Sequence, residues 1–364
     1  MFETSIALAV LFILSAVTSY VVTMIVKRAA EAIGAVDHPD RRRRIHLEST
    51  PRLGGLAIIF GFGFPLLLLA GNRHAASLVS KNIEYLCAVL AAGSLIVGLG
   101  VYDDILGADA PRKFTVQTAA AVILVAFGFR FDFVSLAGAV INFNFGVLAS
   151  VISVIWIVGV INAMNFIDGM DSLATVVAIT IAVAFLVIAI LRADIFSLVI
   201  MTALSGSLVG FYRWNKPPAK IFMGDTGSMF IGLLLAAGSI VRPTKSPTAL
   251  IVGGPMLALA LPVLDTLIVM KQRFSGPHES MLARIAFMFN ADKRHIHHIL
   301  VAKYGSVNKA IASIWLITLL FATAAVMTVV DRLKPAGYTL GGIGLALLIF
   351  LRYWFRRGEE AIPT

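Results

Sequence analysis

Apolar residues fill most of this chain in long runs, and polar residues gather in the gaps between them. A membrane-crossing helix needs roughly 17–25 predominantly apolar residues. Eleven runs predict spans, near residues 5–26, 53–71, 83–102, 114–129, 147–163, 172–191, 194–212, 228–241, 248–270, 310–330 and 337–355. The eighth is short, so it either runs on past Val241 or tilts. Phe131–Phe145 is also apolar, but Gly138 and two Asn residues interrupt it. It reads as a re-entrant or interfacial hairpin outside the membrane. The fold class expected is all-α, a polytopic integral membrane protein forming a single transmembrane domain over residues 1–364.

Composition agrees with the pattern. Hydrophobic residues make up 59% of the 364 and charged residues only 14%, where a soluble domain averages about 25% charged. A single globule cannot hide so much apolar surface from water, so lipid must be the solvent for most of it. One cysteine, Cys87, rules out a disulfide framework or a Cys-based metal site within the chain. Only Glu3 precedes the first run, and Lys27 and Arg28 follow it. That is the reverse of a signal peptide, so an anchor with its N-terminus outside is expected.

The net charge of +10 would fit nucleic acid, but its distribution reads as topology. With the N-terminus outside, 22 of the 30 Lys and Arg residues fall on inside segments, among them Arg41–Arg44, and 8 fall outside. Cytoplasmic loops carry such an excess. Eleven spans then leave the C-terminus inside, and attraction to anionic membrane lipid accounts for the basic balance. Nucleic acid is not an expected partner. Longer inside segments lie at 27–52, 103–113, 213–227 and 271–309, with the end of the fifth span at 163–171.

Polar constellations sit at these inner ends. Asp103 and Asp104 close the third span, where two carboxylates repel each other and oppose the negative end of the helix dipole. They call for a cation, either a metal or the following Arg112 and Lys113; the plain alternative is a solvated pair at the membrane boundary. Asn162, Asn165, Asp168 and Asp171 recur every three residues, so on a continuing helix they share a slowly drifting face. Gly169 is expected to break that helix and free Asp171. A cap on the next helix by Asp171 or Ser172 would explain one residue and leave three in an apolar run, which is costly. Phe222-Met-Gly-Asp225-Thr-Gly-Ser228 opens the eighth span. Asp225 or Thr226 suits a plain N-cap, and the Gly-rich turn also suits phosphate. In Asp292-Lys-Arg294-His295-Ile-His297-His298, three of the seven histidines fall together. Zinc is conceivable there, but with Lys293 and Arg294 adjoining, donors to a diphosphate fit better than a metal cage. Asp265, towards the inner end of the ninth span, is a site candidate or an ion-pair partner of Lys271, Arg273 or another helix. Carboxylates suit Mg²⁺, which takes oxygen ligands and substrate phosphates, with Mn²⁺ as the alternative. Together these groups form a toolkit for phosphoryl transfer at the membrane surface.

At these motifs the chain resembles the polyprenyl-phosphate N-acetylhexosamine-1-phosphate transferases, closest to the branch that transfers GlcNAc-1-phosphate to undecaprenyl phosphate. Pro51-Arg-Leu-Gly54-Gly55 and the pair Lys113 and Gln117 carry the likeness further, over about residues 36 to 300. The resemblance implies transfer of a sugar-1-phosphate from a UDP-N-acetylhexosamine to undecaprenyl phosphate, with release of UMP, at a bacterial plasma membrane. It implies that Asp103 and Asp104, with Asp168, are catalytic. Asn165 and Asp225 would hold Mg²⁺, and Lys113 would contact the lipid phosphate. Asn162 and Asp171 would contact the nucleotide side, and Arg294, His295, His297 and His298 the sugar–diphosphate. A homodimer is compatible with the sequence. Two departures stand out: Asp171-Ser172 replaces the usual Asp-Gly, and Arg284–Asn290 is more apolar than usual. The alternatives are the phospho-MurNAc-pentapeptide branch and, from another class, an ion-coupled transporter.

Overall fold

In this computed structural model the described residues are 2–37, 49–71, 82–131, 133–136, 139–142, 146–240, 253–275 and 294–356. Arg41–Arg44, Arg284–Asn290, Asp292 and Lys293 lie outside them, as do parts of the loops expected at 27–52 and 271–309.

Helices occupy all eleven predicted positions. They are α1 (Phe2–Ile33), α2 (Gly54–Gly71), α3 (Ile83–Leu106), α4 (Ala110–Ala126) and α5 (Val147–Ile167), then α6 (Leu173–Arg192), α7 (Ile195–Asn215) and α8 (Gly224–Ser239). The ninth run divides into α9 (Gly253–Ala258) and α10 (Ala260–Phe274). A nine-residue helix, α11 (Ile296–Tyr304), precedes α12 (Val307–Val329) and α13 (Lys334–Arg356). Among the described residues eight helices are long and apolar enough to cross a membrane: α1, α2, α3, α5, α6, α7, α12 and α13. The protein is a multi-pass membrane protein.

Three predicted spans, α4, α8 and the divided ninth, are not among these eight, and the last two have visible reasons. The 16 residues of α8 rise only about 24 Å at ~1.5 Å each, less than the ~30 Å hydrocarbon core. This helix is buried along most of its length, packed by α2, α3 and α5, so its flanks meet protein rather than lipid. A helix apolar all round belongs in such a position. The division between α9 and α10 falls just before Pro262, which has no N–H for a carbonyl in the preceding turn. Within the first turn of α10 that missing donor costs nothing.

Two short strand pairs lie between the helices. Strands β1 (Val36–Asp37) and β2 (Thr50–Pro51) pair antiparallel between α1 and α2. The interruption expected over Phe131–Phe145 is an antiparallel hairpin of β3 (Phe133–Leu136) and β4 (Ala139–Asn142), with Phe133 opposite Asn142. Large apolar side chains such as Leu67, Val147 and Ile155 are exposed on the bundle's surface. In water such a surface would drive aggregation, whereas lipid accepts it.

Candidate active site

The first turn of α8 is the anchor of the site. Asp104, at the end of α3, accepts from the backbone N–H of Asp225 at 2.9 Å and of Thr226 at 3.0 Å, and from Thr226 Oγ1 at 2.6 Å. Both carboxylate oxygens thus cap a helix that has no side-chain cap of its own. The chain comes this close because Gly100 and Gly55 present bare backbone. A Cβ on Gly100 would lie 2.3 Å from Thr226 Cα, and one on Gly55 would lie 2.1 Å from Gly227 N.

Asp103 does different work. Its Oδ1 accepts from the backbone N–H of Ala108 at 2.6 Å, and its Oδ2 lies 2.6 Å from Lys113 Nζ. Lys113 enters from the first turn of α4, which Asp109 caps. The same ammonium donates to Asp225 Oδ2 at 2.6 Å, so one cation bridges carboxylates from α3 and α8. The expected ion pair between the Asp103–Asp104 dyad and a following basic residue is present at Asp103. Arg112 takes another course, donating to Tyr102 Oη at 3.1 Å.

The three-residue ladder on α5 reaches several neighbours. Asn162 donates to Gln117 Oε1 at 2.7 Å and to the carbonyl of Val158 at 2.8 Å, tying α5 to α4. One turn on, Asn165 donates to Ser228 Oγ at 3.0 Å and also hydrogen-bonds Asp225. The helix ends at Ile167, one residue earlier than a Gly169 break requires, with Asp168 as its C-cap. Asp171 is buried and accepts from the backbone N–H of Ala219 at 2.9 Å, in the loop between α7 and α8. The α6 cap position falls to Ser172, which makes no side-chain cap bond. Burial and the surrounding carboxylates Asp225, Asp104 and Asp171 push the Asp168 carboxyl well above its usual range.

The histidine segment closes over the Asp168–Gly169 turn. His295 stacks on Phe166 with ring centroids 5.4 Å apart, and His297 lies parallel to His295 at 5.8 Å. A Cβ on Gly169 would meet His297 Nε2 at 2.4 Å, so a larger residue would require the ring to shift from this position. Burial, with His298 beside it, lowers His297 to about 3. His298 is half-buried and Arg294 exposed. Sequence reading left Asp265 undecided and counted Arg352 only as a topology charge. Both lie buried against His295: Asp265 Oδ2 is 2.7 Å from His295 Nδ1, and Arg352 pairs with Asp265. The missed signal was a cation inside an apolar run, the same oddity that marked Asp265.

Among the described residues no three His, Cys, Asp or Glu groups converge as a metal cage. An all-protein cage is not what Mg²⁺ uses; it takes one or two carboxylates, keeps waters and shares substrate phosphates. Asp225 and Asn165 offer hard oxygen donors beside Asp103. This donor set fits Mg²⁺.

Comparison with known proteins identifies the family, and its model covers the part of the site on residues 103–225. The model of a family described as glycosyl transferase family 4 matches residues 86–242. A probable undecaprenyl-phosphate N-acetylglucosaminyl 1-phosphate transferase of Bacillus subtilis is 34% identical over 331 residues, covering 89% of this chain and 86% of that protein. The decaprenyl-phosphate N-acetylglucosaminephosphotransferase of Mycobacterium tuberculosis is 32% identical over an alignment of 379 residues, covering 97% and 90%. A phospho-N-acetylmuramoyl-pentapeptide-transferase of Streptococcus pneumoniae is 28% identical over 235 residues, covering 62% and 69%.

Proposed function

Because the chain belongs to glycosyl transferase family 4, the polyprenyl-phosphate N-acetylhexosamine-1-phosphate transferases, we propose that it transfers GlcNAc-1-phosphate from UDP-GlcNAc to undecaprenyl phosphate. UMP leaves, and the lipid-linked sugar starts a cell-envelope glycan. The observation that carries this reading is the meeting of Asp103, Lys113, Asn165 and Asp225 from four helices at one point. Such a point suits two anionic substrates that must approach each other.

The chemistry asks little of a base. A phosphate monoester is already largely dianionic near pH 7, so an oxygen of the lipid phosphate can attack the sugar-bearing phosphorus directly. The bond from that phosphorus to the bridging oxygen breaks, and UMP takes the electron pair. Lys113 holds the lipid phosphate, and Asp103 orients it and accepts any remaining proton. His297, His298 and Arg294 face the diphosphate as donors, with Asn162 and Asp171 shaping the nucleotide side through α4 and the α7–α8 loop. Asp225 and Asn165 would hold Mg²⁺, which supplies charge neutralisation at the diphosphate. The active site faces the cytoplasm in this reading, where UDP-sugars are made.

Membranes containing the protein, given undecaprenyl phosphate, Mg²⁺ and labelled UDP-sugars, test the proposal. UMP release is expected with UDP-GlcNAc, abolished by chelation and restored by Mg²⁺. Asp225→Asn is expected to lose at least ~100-fold in kcat, as loss of a major electrostatic contributor does. Full Mg²⁺-dependent turnover in that variant would remove Asp225 from the metal site. UDP-MurNAc-pentapeptide is the competing donor. The pentapeptide transferases are more distant, 28% to 29% identical over 62% to 78% of the chain, against 34% over 89%, and this favours GlcNAc. Preferential use of the pentapeptide donor would reverse the choice.

A further inference from the structure

Asp265 on α10, His295 at the start of α11 and Arg352 near the end of α13 meet in one buried cluster, only 3%, 3% and 6% exposed. Asp265 Oδ1 accepts from the backbone N–H of Ile296 at 3.0 Å and from Arg352 Nη1. Its Oδ2 faces His295 Nδ1 at 2.7 Å. Arg352 Nη2 donates to the carbonyl of Arg294 at 2.9 Å. The grip therefore takes the backbone on both sides of His295 and one nitrogen of its ring. A simple tie between α10 and α13 would need only the carboxylate and the guanidinium.

The remaining ring atoms show what the grip is for. Among the described residues His295 Nε2 and both ring nitrogens of His297 are buried without a hydrogen-bond partner. Buried polar atoms are rarely left so, and these three flank the Asp168–Gly169 turn. A hydrogen bond at one imidazole nitrogen determines what the other offers. A carboxylate behind a histidine is the usual means of setting ring orientation. The Arg fork has two directed donors, one for Asp265 and one for the Arg294 carbonyl, which a lysine cannot reproduce.

We propose that Asp265 and Arg352 are positioning residues that lock the Arg294–His298 segment in the orientation that receives the donor diphosphate. The last helix of the chain is thereby part of the donor site. This rests on the transferase reading above, since it takes the donor to be a UDP-sugar.

Two readouts on the purified full-length protein test it. The first is labelling of His295 and His297 by diethylpyrocarbonate, followed residue by residue by mass spectrometry without substrate. Arg352→Met is expected to speed labelling roughly tenfold, and Arg352→Lys to restore less than half of the protection. The second is steady-state UMP release. Arg352→Met is expected to raise KM for UDP-GlcNAc about tenfold while KM for undecaprenyl phosphate stays within about twofold. Should the single variants fail to accumulate, Asp265→Asn combined with Arg352→Gln leaves no lone buried charge and is read in the same way. Lys334→Met, which breaks a surface pair with Asp331, should change neither readout. Unchanged labelling, or an unmoved KM for UDP-GlcNAc, overturns the proposal. If the wild-type protein releases no UMP from any UDP-sugar, the transferase reading falls by itself, and the labelling still decides the clamp.

Discussion

Asp104 illustrates how a residue's surroundings decide its work. A carboxylate at the C-terminal end of α3 sits at the unfavourable end of that helix's dipole. The same carboxylate lies at the favourable end of α8, with its oxygens on the free N–H groups of the first turn. Asp103, one residue earlier, is neutralised by Lys113. The sequence showed that both acids need positive partners, and it named Lys113 as one candidate. It could not show that the second partner is a helix end 121 residues away. Asp104→Ala is therefore expected to lower the thermal midpoint in detergent by more than Asp103→Ala, at a cost of roughly 1–2 kcal/mol for the lost cap. Equal midpoints in the two variants would argue against the capping role.

At the scale of elements, the helices were legible because lipid demands about twenty apolar residues in a row. Where an element meets protein instead, that demand lapses. Hence α8 is short, and the ninth run breaks ahead of Pro262. Close packing around α8 depends on Gly55, whose added Cβ would strike the backbone of Gly227 at 2.1 Å. Backbone cannot yield as a flexible side chain can. Gly55→Ala is expected to destabilise by roughly 1–3 kcal/mol, as overpacking does, and to reduce UMP release by displacing Asp225. Gly63→Ala on the same helix meets nothing within 4 Å and serves as the comparison in thermal unfolding and turnover. Similar losses in both would show that the α2–α8 contact is not what matters.

For the whole molecule, the uneven distribution of Lys and Arg predicts a direction across the membrane. The site residues of α3, α4, α5 and α8 lie at connected helix ends and share hydrogen bonds, so they must face one side. The expected outcome is a fluorescent C-terminal fusion in the cytoplasm and an active N-terminal alkaline phosphatase fusion outside it. The opposite result would place the site on the outer face.

What the sequence determined by itself was the membrane class and the positions of the helices, and it supplied the residue types of the candidate site. Hydrophobic run length and costly intramembrane charges are local properties, readable one segment at a time. Tertiary structure alone decided which acid caps α8, that Lys113 bridges Asp103 and Asp225, and that His297 rests on Gly169. It also brought Arg352 from the last helix to the histidine segment. Those pairings join residues distant along the chain through single hydrogen bonds, and no periodicity in the sequence encodes a contact of that kind.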